Sequence, residues 1–128
     1  MSKLDKEKED ALKALMQAKK HNGPYPAGEN SMAKFADISL VYARDYLRGP
    51  FKAGEPVMAK NASVATQYAT NLLHGAFELG EDAIAQVGNF SYRYAIEAIE
   101  RRFIKGEAAI FANPRLAQQY REHFSIES

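Results

Sequence analysis

The dipeptide Gly-Glu recurs along this chain at a constant interval, and this regularity limits the folds that the sequence can adopt. Five further columns of residues keep the same 26-residue step. The Gly-Glu pairs begin at Gly28, Gly54, Gly80 and Gly106, and the other columns are Tyr42, Tyr68, Tyr94 and Tyr120; Tyr25, Phe51, Phe77 and Phe103; Met32, Met58, Ile84 and Ile110; Ile38, Val64, Phe90 and Leu116; and Leu47, Leu73 and Ile99. Internal repeats of about 20–50 residues are the signature of stacked repeat architectures.

Apolar residues within each repeat follow a helical period. In residues 36–48 they fall three and four positions apart, and the next repeat has the same pattern. This spacing predicts one apolar helix face. Gly49 and Gly75 follow the last periodic residue, which predicts that a left-handed glycine ends each helix.

A shorter helix is predicted to begin at each Gly-Glu pair. Glutamate suits the positive end of the helix dipole, and Pro56 is compatible with a first helical turn. Asn61, Asn89 and Asn113 lie near the next junction, where their side chains are predicted to cap the following helix. Each repeat is therefore predicted to be a helix of about three turns, a tight turn and a helix of about two.

Helices this short cannot bury an apolar face alone, so stacking must supply the partner surface. We predict an all-α fold in one domain over 1–128, a short α-solenoid of about four helix-turn-helix repeats over 23–128. Residues 1–22 are predicted to form an N-terminal capping helix with a polar outer face. Its apolar positions are Leu4, Ala11, Leu12, Leu15 and Met16, of which Leu12 and Met16 continue the 26-residue columns.

The pattern aromatic-x-x-Gly-Glu-x-x-Met/Ile, with Tyr-Ala and Leu-x-Gly, resembles short helical repeats of uncharacterised proteins from tailed bacteriophages. It is carried by segments such as Tyr42–Phe51 followed by Gly54-Glu55, and it covers about Gly23–Phe124. The resemblance implies a helical-repeat architecture, a phage or prophage origin and the host cytoplasm, and it brings no catalytic residues. The chain departs from the pattern at Arg101 and near Val87-Gly88.

Composition excludes several classes of protein. The chain has no cysteine, which removes disulfides and Cys-ligated metal sites. Its formal charge of +1 gives no global attraction to nucleic acid or to acidic membranes. The charged first 20 residues do not resemble a secretory signal, and no apolar run is long enough to span a bilayer. We therefore expect a soluble cytoplasmic protein without membrane contact.

Residue types that could support catalysis do not form a recognisable active site. His21, His74 and His123 have no second ligand at helical spacing, so we expect surface histidines and no metal site. The column Glu29, Glu55, Glu81 and Glu107 could be a ladder of acid/base groups, but its repeated context favours helix N-terminal capping. We expect neither an enzyme nor a cofactor.

Two features admit a nucleic-acid interpretation. The tyrosine column could be a stacking platform for single strands, although its apolar neighbours favour packing in the core. Basic residues cluster at Arg93, Arg101, Arg102 and Lys105, with Arg115 and Arg121 beyond. Because Glu97, Glu100 and Glu107 are interleaved with them, pairing on a solvated face is the preferred interpretation.

The repeated columns are accounted for by packing, so recognition is expected at the positions that vary between repeats. The leading hypothesis is a non-enzymatic scaffold that binds a host or phage protein, with inhibition of a host defence enzyme as a narrower form. A nucleic-acid module and self-association through Arg115–Phe124 are the alternatives, and the oligomeric state is left open. The candidate partner-binding residues are Arg44, Arg48, Lys52, Thr70, His74, Glu78, Arg93, Ile96 and Glu100.

Overall fold

The structure is a computed structural model that describes residues 2–127, and within that range it contains helices and turns but no strand. The prediction of an all-α fold is confirmed. The chain divides into two compact units, one ending at Met58 and the other beginning at Ala59. None of the described helices is both long and apolar enough to cross a membrane.

The same order of elements recurs along the chain. A 3-10 turn leads into a short α-helix, which is followed by a longer helix. The α-helices are α1 (Lys3–His21), α2 (Glu29–Met32), α3 (Ala36–Val41), α4 (Glu55–Met58), α5 (Ala62–Tyr68), α6 (Glu81–Ile84), α7 (Gly88–Arg93), α8 (Glu107–Phe111) and α9 (Pro114–Phe124). The 3-10 turns are Pro26–Gly28, Lys52–Gly54, Glu78–Gly80 and Ile104–Gly106, and π-helical segments extend α3, α5 and α7 over Tyr42–Leu47, Ala69–Leu73 and Tyr94–Ala98.

The glycine of each Gly-Glu pair lets a short helix approach a longer one closely. A Cβ atom on Gly54 would lie 2.5 Å from Ser39 Oγ, and one on Gly80 would lie 2.8 Å from the Cβ of Ala65. The buried Ser39 hydroxyl also donates to the Met32 carbonyl at 2.9 Å, and Ser91 donates to the Ile84 carbonyl at 2.8 Å. These contacts fix the packing distance within each unit.

The longer helices end differently from the sequence-based prediction. Among residues 2–127 no glycine has a positive φ. After α3 and α5 the left-handed residues are instead Arg48 (φ 56°) and His74 (φ 52°), each one position before the expected glycine. Gly49 occupies the next position, where its N–H donates to the Ala43 carbonyl at 3.1 Å. The prediction of left-handed Gly49 and Gly75 is therefore wrong, because the chain reverses one residue earlier.

The π-helical segments also explain why α1 does not follow the 26-residue register of the repeats. A side chain on Gly28 would meet Ala14, 14 residues earlier, whereas Gly54 meets Ser39, 15 residues earlier. The left-handed Asn22 follows Ala14 by eight residues, and Arg48 follows Ser39 by nine. The π-helical segment thus carries one residue more than the corresponding turn of the regular helix α1.

This extra residue shifts α1 out of the 26-residue register. The buried residues of α1 are Ala11, Ala14 and Ala18, whereas Leu12 and Met16 are 45% and 67% exposed. The extrapolation of the apolar columns onto Leu12 and Met16 is wrong, because it assumed the longer π-containing helix. Leu4 is also 63% exposed, so the outer face of α1 is not purely polar as predicted.

Two of the three predicted asparagine caps are confirmed. The Asn61 side chain accepts from the Val64 N–H at 3.0 Å, and Asn113 caps α9 with Pro114 as its first residue. Asn89 instead lies inside α7, which begins after Val87. That prediction is wrong because the junction residue equivalent to Asn61 and Asn113 is Val87.

The reversal at the helix ends gives a stability prediction. His74→Gly should raise the free energy of unfolding by about 0.5–1 kcal/mol, because glycine adopts the left-handed conformation without the steric cost of a Cβ. Gly75→Ala should change it by less than about 0.5 kcal/mol, since that residue is not left-handed and an added Cβ would lie no closer than 3.9 Å to its nearest neighbour, the Leu73 carbonyl oxygen. Urea unfolding measures both. A loss of about 1 kcal/mol in Gly75→Ala would place the reversal at the glycine instead.

Candidate functional site

Three tyrosine side chains are the central polar contacts of the interior. Tyr42, Tyr94 and Tyr120 are fully buried. Each hydroxyl donates to the carboxylate at the start of a short helix: Glu29 at 2.5 Å, Glu81 at 2.6 Å and Glu107 at 2.7 Å. Each also accepts from the backbone N–H of the residue just before the 3-10 turn that leads into that helix: Tyr25 at 2.9 Å, Phe77 at 2.8 Å and Phe103 at 3.0 Å.

We call this arrangement the tyrosine clamp: one buried hydroxyl that joins a carboxylate and a backbone amide across a 13- and a 17-residue separation. It satisfies a backbone donor outside the regular helices, which would otherwise be costly to bury. A hydrogen bond to a carboxylate is also stronger than one between neutral groups. The clamp therefore ties each of the short helices α2, α6 and α8 to the longer helix that follows it.

Burial and the nearby carboxylate stabilise the neutral phenol. Burial is the larger cause, and together with the hydrogen bonds to Glu29 and Glu107 it raises the pKa of Tyr42 and of Tyr120 to about 12. The pKa of Tyr94 is raised for the same two reasons. The backbone N–H donors oppose this shift, because they stabilise the phenolate.

Aromatic packing completes the same region. The rings of Tyr42 and Phe51 meet edge to face with centroids 5.0 Å apart, as do Tyr68 and Phe77 at 5.1 Å. All four tyrosines of the column, Tyr68 included, have no exposed surface. The prediction that they pack in the core is confirmed, and bases have no access to these rings for stacking.

The role of the repeated glutamates is only partly as predicted. Glu29, Glu81 and Glu107 do begin short helices, but the N-cap residue of each is the preceding glycine. Their carboxylates bind tyrosine hydroxyls instead of capping the helix. The constant 13-residue offset between the glutamate and tyrosine columns was the signal in the sequence that could have paired them.

The candidate partner-binding residues are mostly on the surface. Thr70 and Ile96 are half-buried, and the other seven are exposed. The candidates Arg44, Arg48 and Lys52 lie in the first unit, and the other six, Arg93 among them, lie in the second. Three candidates have local partners: Arg44 pairs with Asp45 at 2.8 Å, Arg48 donates to Asn22 at 3.2 Å, and Arg93 pairs with Glu97 at 2.9 Å.

The basic cluster of the second unit is largely neutralised. Arg102 makes two 2.8 Å bonds to Glu107, which lower the pKa of that carboxyl, and Lys105 pairs with Asp82 at 2.9 Å. With Arg93 bound to Glu97, three of the four cations have acidic partners. Among the described residues, Arg101 alone of the four has an exposed guanidinium without an ion pair.

The histidines lie on the surface, as predicted. His21, His74 and His123 are all exposed. Across residues 2–127, no three His, Cys, Asp or Glu side chains converge in a way that could hold a metal ion.

The tyrosine clamp gives a pH prediction. Below pH 10, the ordinary pKa of tyrosine, Tyr120 contributes its full share of stability, and this share is lost as the pH rises from 10 towards the folded-state pKa of about 12. Tyr120→Phe should lower the free energy of unfolding at pH 8 by about 1–3 kcal/mol, because it leaves the Phe103 N–H without its acceptor. The variant should also lose less stability than the parent chain between pH 10 and 12.

Denaturant titrations at a series of pH values measure both effects. Tyr92→Phe is the control, because the Tyr92 side chain is half-buried and its hydroxyl makes no hydrogen bond within residues 2–127. The free energy of unfolding of this variant should differ from that of the parent chain by less than about 0.5 kcal/mol. A Tyr120→Phe variant as stable as the parent chain at pH 8 would contradict the clamp.

Comparison of the chain with protein-family models, with curated proteins and with solved structures gave no match. The resemblance to phage repeat proteins therefore stays a prediction.

Proposed function

We propose that this protein is a non-enzymatic scaffold that binds another protein through the residues that vary between its 26-residue repeats, and that these repeats form an α-solenoid. The recurring clamp, the recurring glycine contacts and the recurring element order within each unit support a repeat architecture. Stacked repeats of this kind present extended surfaces on a constant core.

The observation that carries the proposal is a difference in burial: the positions that are constant between repeats lie in the interior, whereas the positions that vary lie mostly on the surface. The residues of the tyrosine, Met/Ile and Gly-Glu columns are buried or bound to one another. The variable candidates are predominantly exposed. Selection for packing alone explains the first set but leaves the second unexplained.

The left-handed residues at the helix ends also support the proposal. Arg48, His74 and Glu100 adopt positive φ, a conformation in which glycine costs less than any of these residues. All three are exposed and chemically different. We infer that these side chains are retained for what they contact, since the backbone at these positions would be more stable with glycine.

The nature of the partner is inferred from the resemblance alone. A phage or prophage origin would make the partner a host or phage protein in the host cytoplasm, and a host defence enzyme is one target of that kind. The alternative, a nucleic-acid module, has one supporting observation in the exposed Arg101. It is weaker because the neighbouring cations already have acidic partners, and phosphate binding needs several free cations.

Quantitative affinity capture from a bacterial lysate tests the proposal. Reversing the charges of Arg44, Arg48 and Lys52 together should reduce recovery of the partner at least about tenfold, the loss expected when hot-spot residues are removed. The control variant reverses Lys3, Lys60 and Arg115, which are also exposed but are not candidates. It should capture as much as the parent chain.

Three outcomes would contradict the proposal. These are no protein above background, equal recovery by the two charge-reversed variants, and retained material that nuclease treatment releases. The last result would favour the nucleic-acid alternative, whose binding should also weaken steeply with salt.

A further inference from the structure

Helix α1 exposes large apolar side chains that the first unit does not use. Its inner face buries Ala11, Ala14 and Ala18, small residues that allow close packing. Leu12 and Met16 lie one turn apart and are 45% and 67% exposed. A partner that covered these side chains would gain a free energy of about 25 cal/mol for every Å² of apolar surface removed from water.

Charged residues flank these two side chains in a definite order. Glu9 precedes them and Lys19 follows them, and both lie near the exposed side of the helix. We call Glu9, Leu12, Met16 and Lys19 the outer strip of α1. Its first end is acidic and its last end is basic. The inner charges of α1 are already used, since Glu7 pairs with Lys34 and Lys8 pairs with Asp37.

Because of this order, the outer strip of one copy is complementary in charge to the outer strip of a second copy that runs antiparallel to it. In an antiparallel pair of copies, one register places Glu9 of each copy opposite Lys19 of the other. The same register places Leu12 of each copy opposite Met16 of the other, so that each contact occurs twice. A parallel arrangement would instead place like charges together. Glu9 also pairs with Lys13 of its own helix at 3.0 Å, with 39% of its side chain exposed. It therefore still has surface for a second cation.

We propose that the protein self-associates through the outer strip of α1, as a two-fold symmetric antiparallel helix pair with a second copy of this chain. In a two-fold symmetric interface, a residue of one copy contacts a second residue of the other copy, and the reverse contact is also made. Antiparallel helices also oppose their dipoles favourably. Because only one helix per copy takes part, the buried area falls below the range of about 1,200–2,000 Å² of stable complexes, and the dimer should be weak and concentration-dependent.

Sedimentation equilibrium of the full chain tests the interface. Between about 10 µM and 1 mM, the range for weak association, the weight-average mass should rise from 14.3 kDa towards twice that value. Met16→Glu should weaken association at least about tenfold. Ile104→Glu is the matched control, because Ile104 is 65% exposed but lies outside α1, and it should associate like the parent chain. A constant monomer mass, or equal effects of the two substitutions, would overturn the proposal.

Charge reversal tests the antiparallel register. Glu9→Lys and Lys19→Glu should each weaken self-association about 3–10-fold, because each brings like charges together. An equimolar mixture of the two variants should associate at least as well as the parent chain, since every reversed position then faces an opposite charge. Circular dichroism verifies that both variants keep their helix content. A mixture that associates no better than either variant alone would overturn the antiparallel arrangement.

Discussion

The buried tyrosine hydroxyl is the interaction on which the rest of each unit depends. Short helices such as α2 and α6 have four residues each, too few to be stable alone. The clamp holds the first residue of the short helix and the turn before it against the following longer helix. The glycine contact on the other side fixes the distance to the preceding one. Every short helix with a described clamp is therefore held from both sides.

One additional residue explains the other unusual features. The extra residue lies in the last turns of the longer helices that begin as α3, α5 and α7, and these turns are π-helical. Each π-helical turn is followed by a residue that ends the helix. At Arg48 and His74 that residue is left-handed. Helix α1 has no such insertion and ends regularly. Its face is accordingly rotated relative to the repeats, which leaves Leu12 and Met16 exposed.

The sequence predicted the helical class, the buried tyrosine and Met/Ile columns and two helix caps, because these follow from local periodicity and from capping chemistry. It did not predict the clamp, since a hydrogen bond between residues 13 positions apart depends on how helices pack. The π-helical segments were also missed, because a 26-residue step is the same whether the extra residue lies in a helix or a loop. The exposure of the candidate surface was largely anticipated. The pairing of Arg93 with Glu97 also follows the predicted pairing of the basic cluster with the interleaved glutamates, whereas the pairing of Arg44 with Asp45 was not predicted.

Amide hydrogen exchange at Phe77 tests the central claim most directly. Its N–H lies just before a 3-10 turn and donates to the Tyr94 hydroxyl. If the clamp holds the unit together, this amide should exchange as slowly as the amides inside α7, and far more slowly than the amide of the exposed neighbour Ala76. Exchange of the Phe77 amide as fast as that of Ala76 would show that the clamp is not formed in solution and would contradict the account.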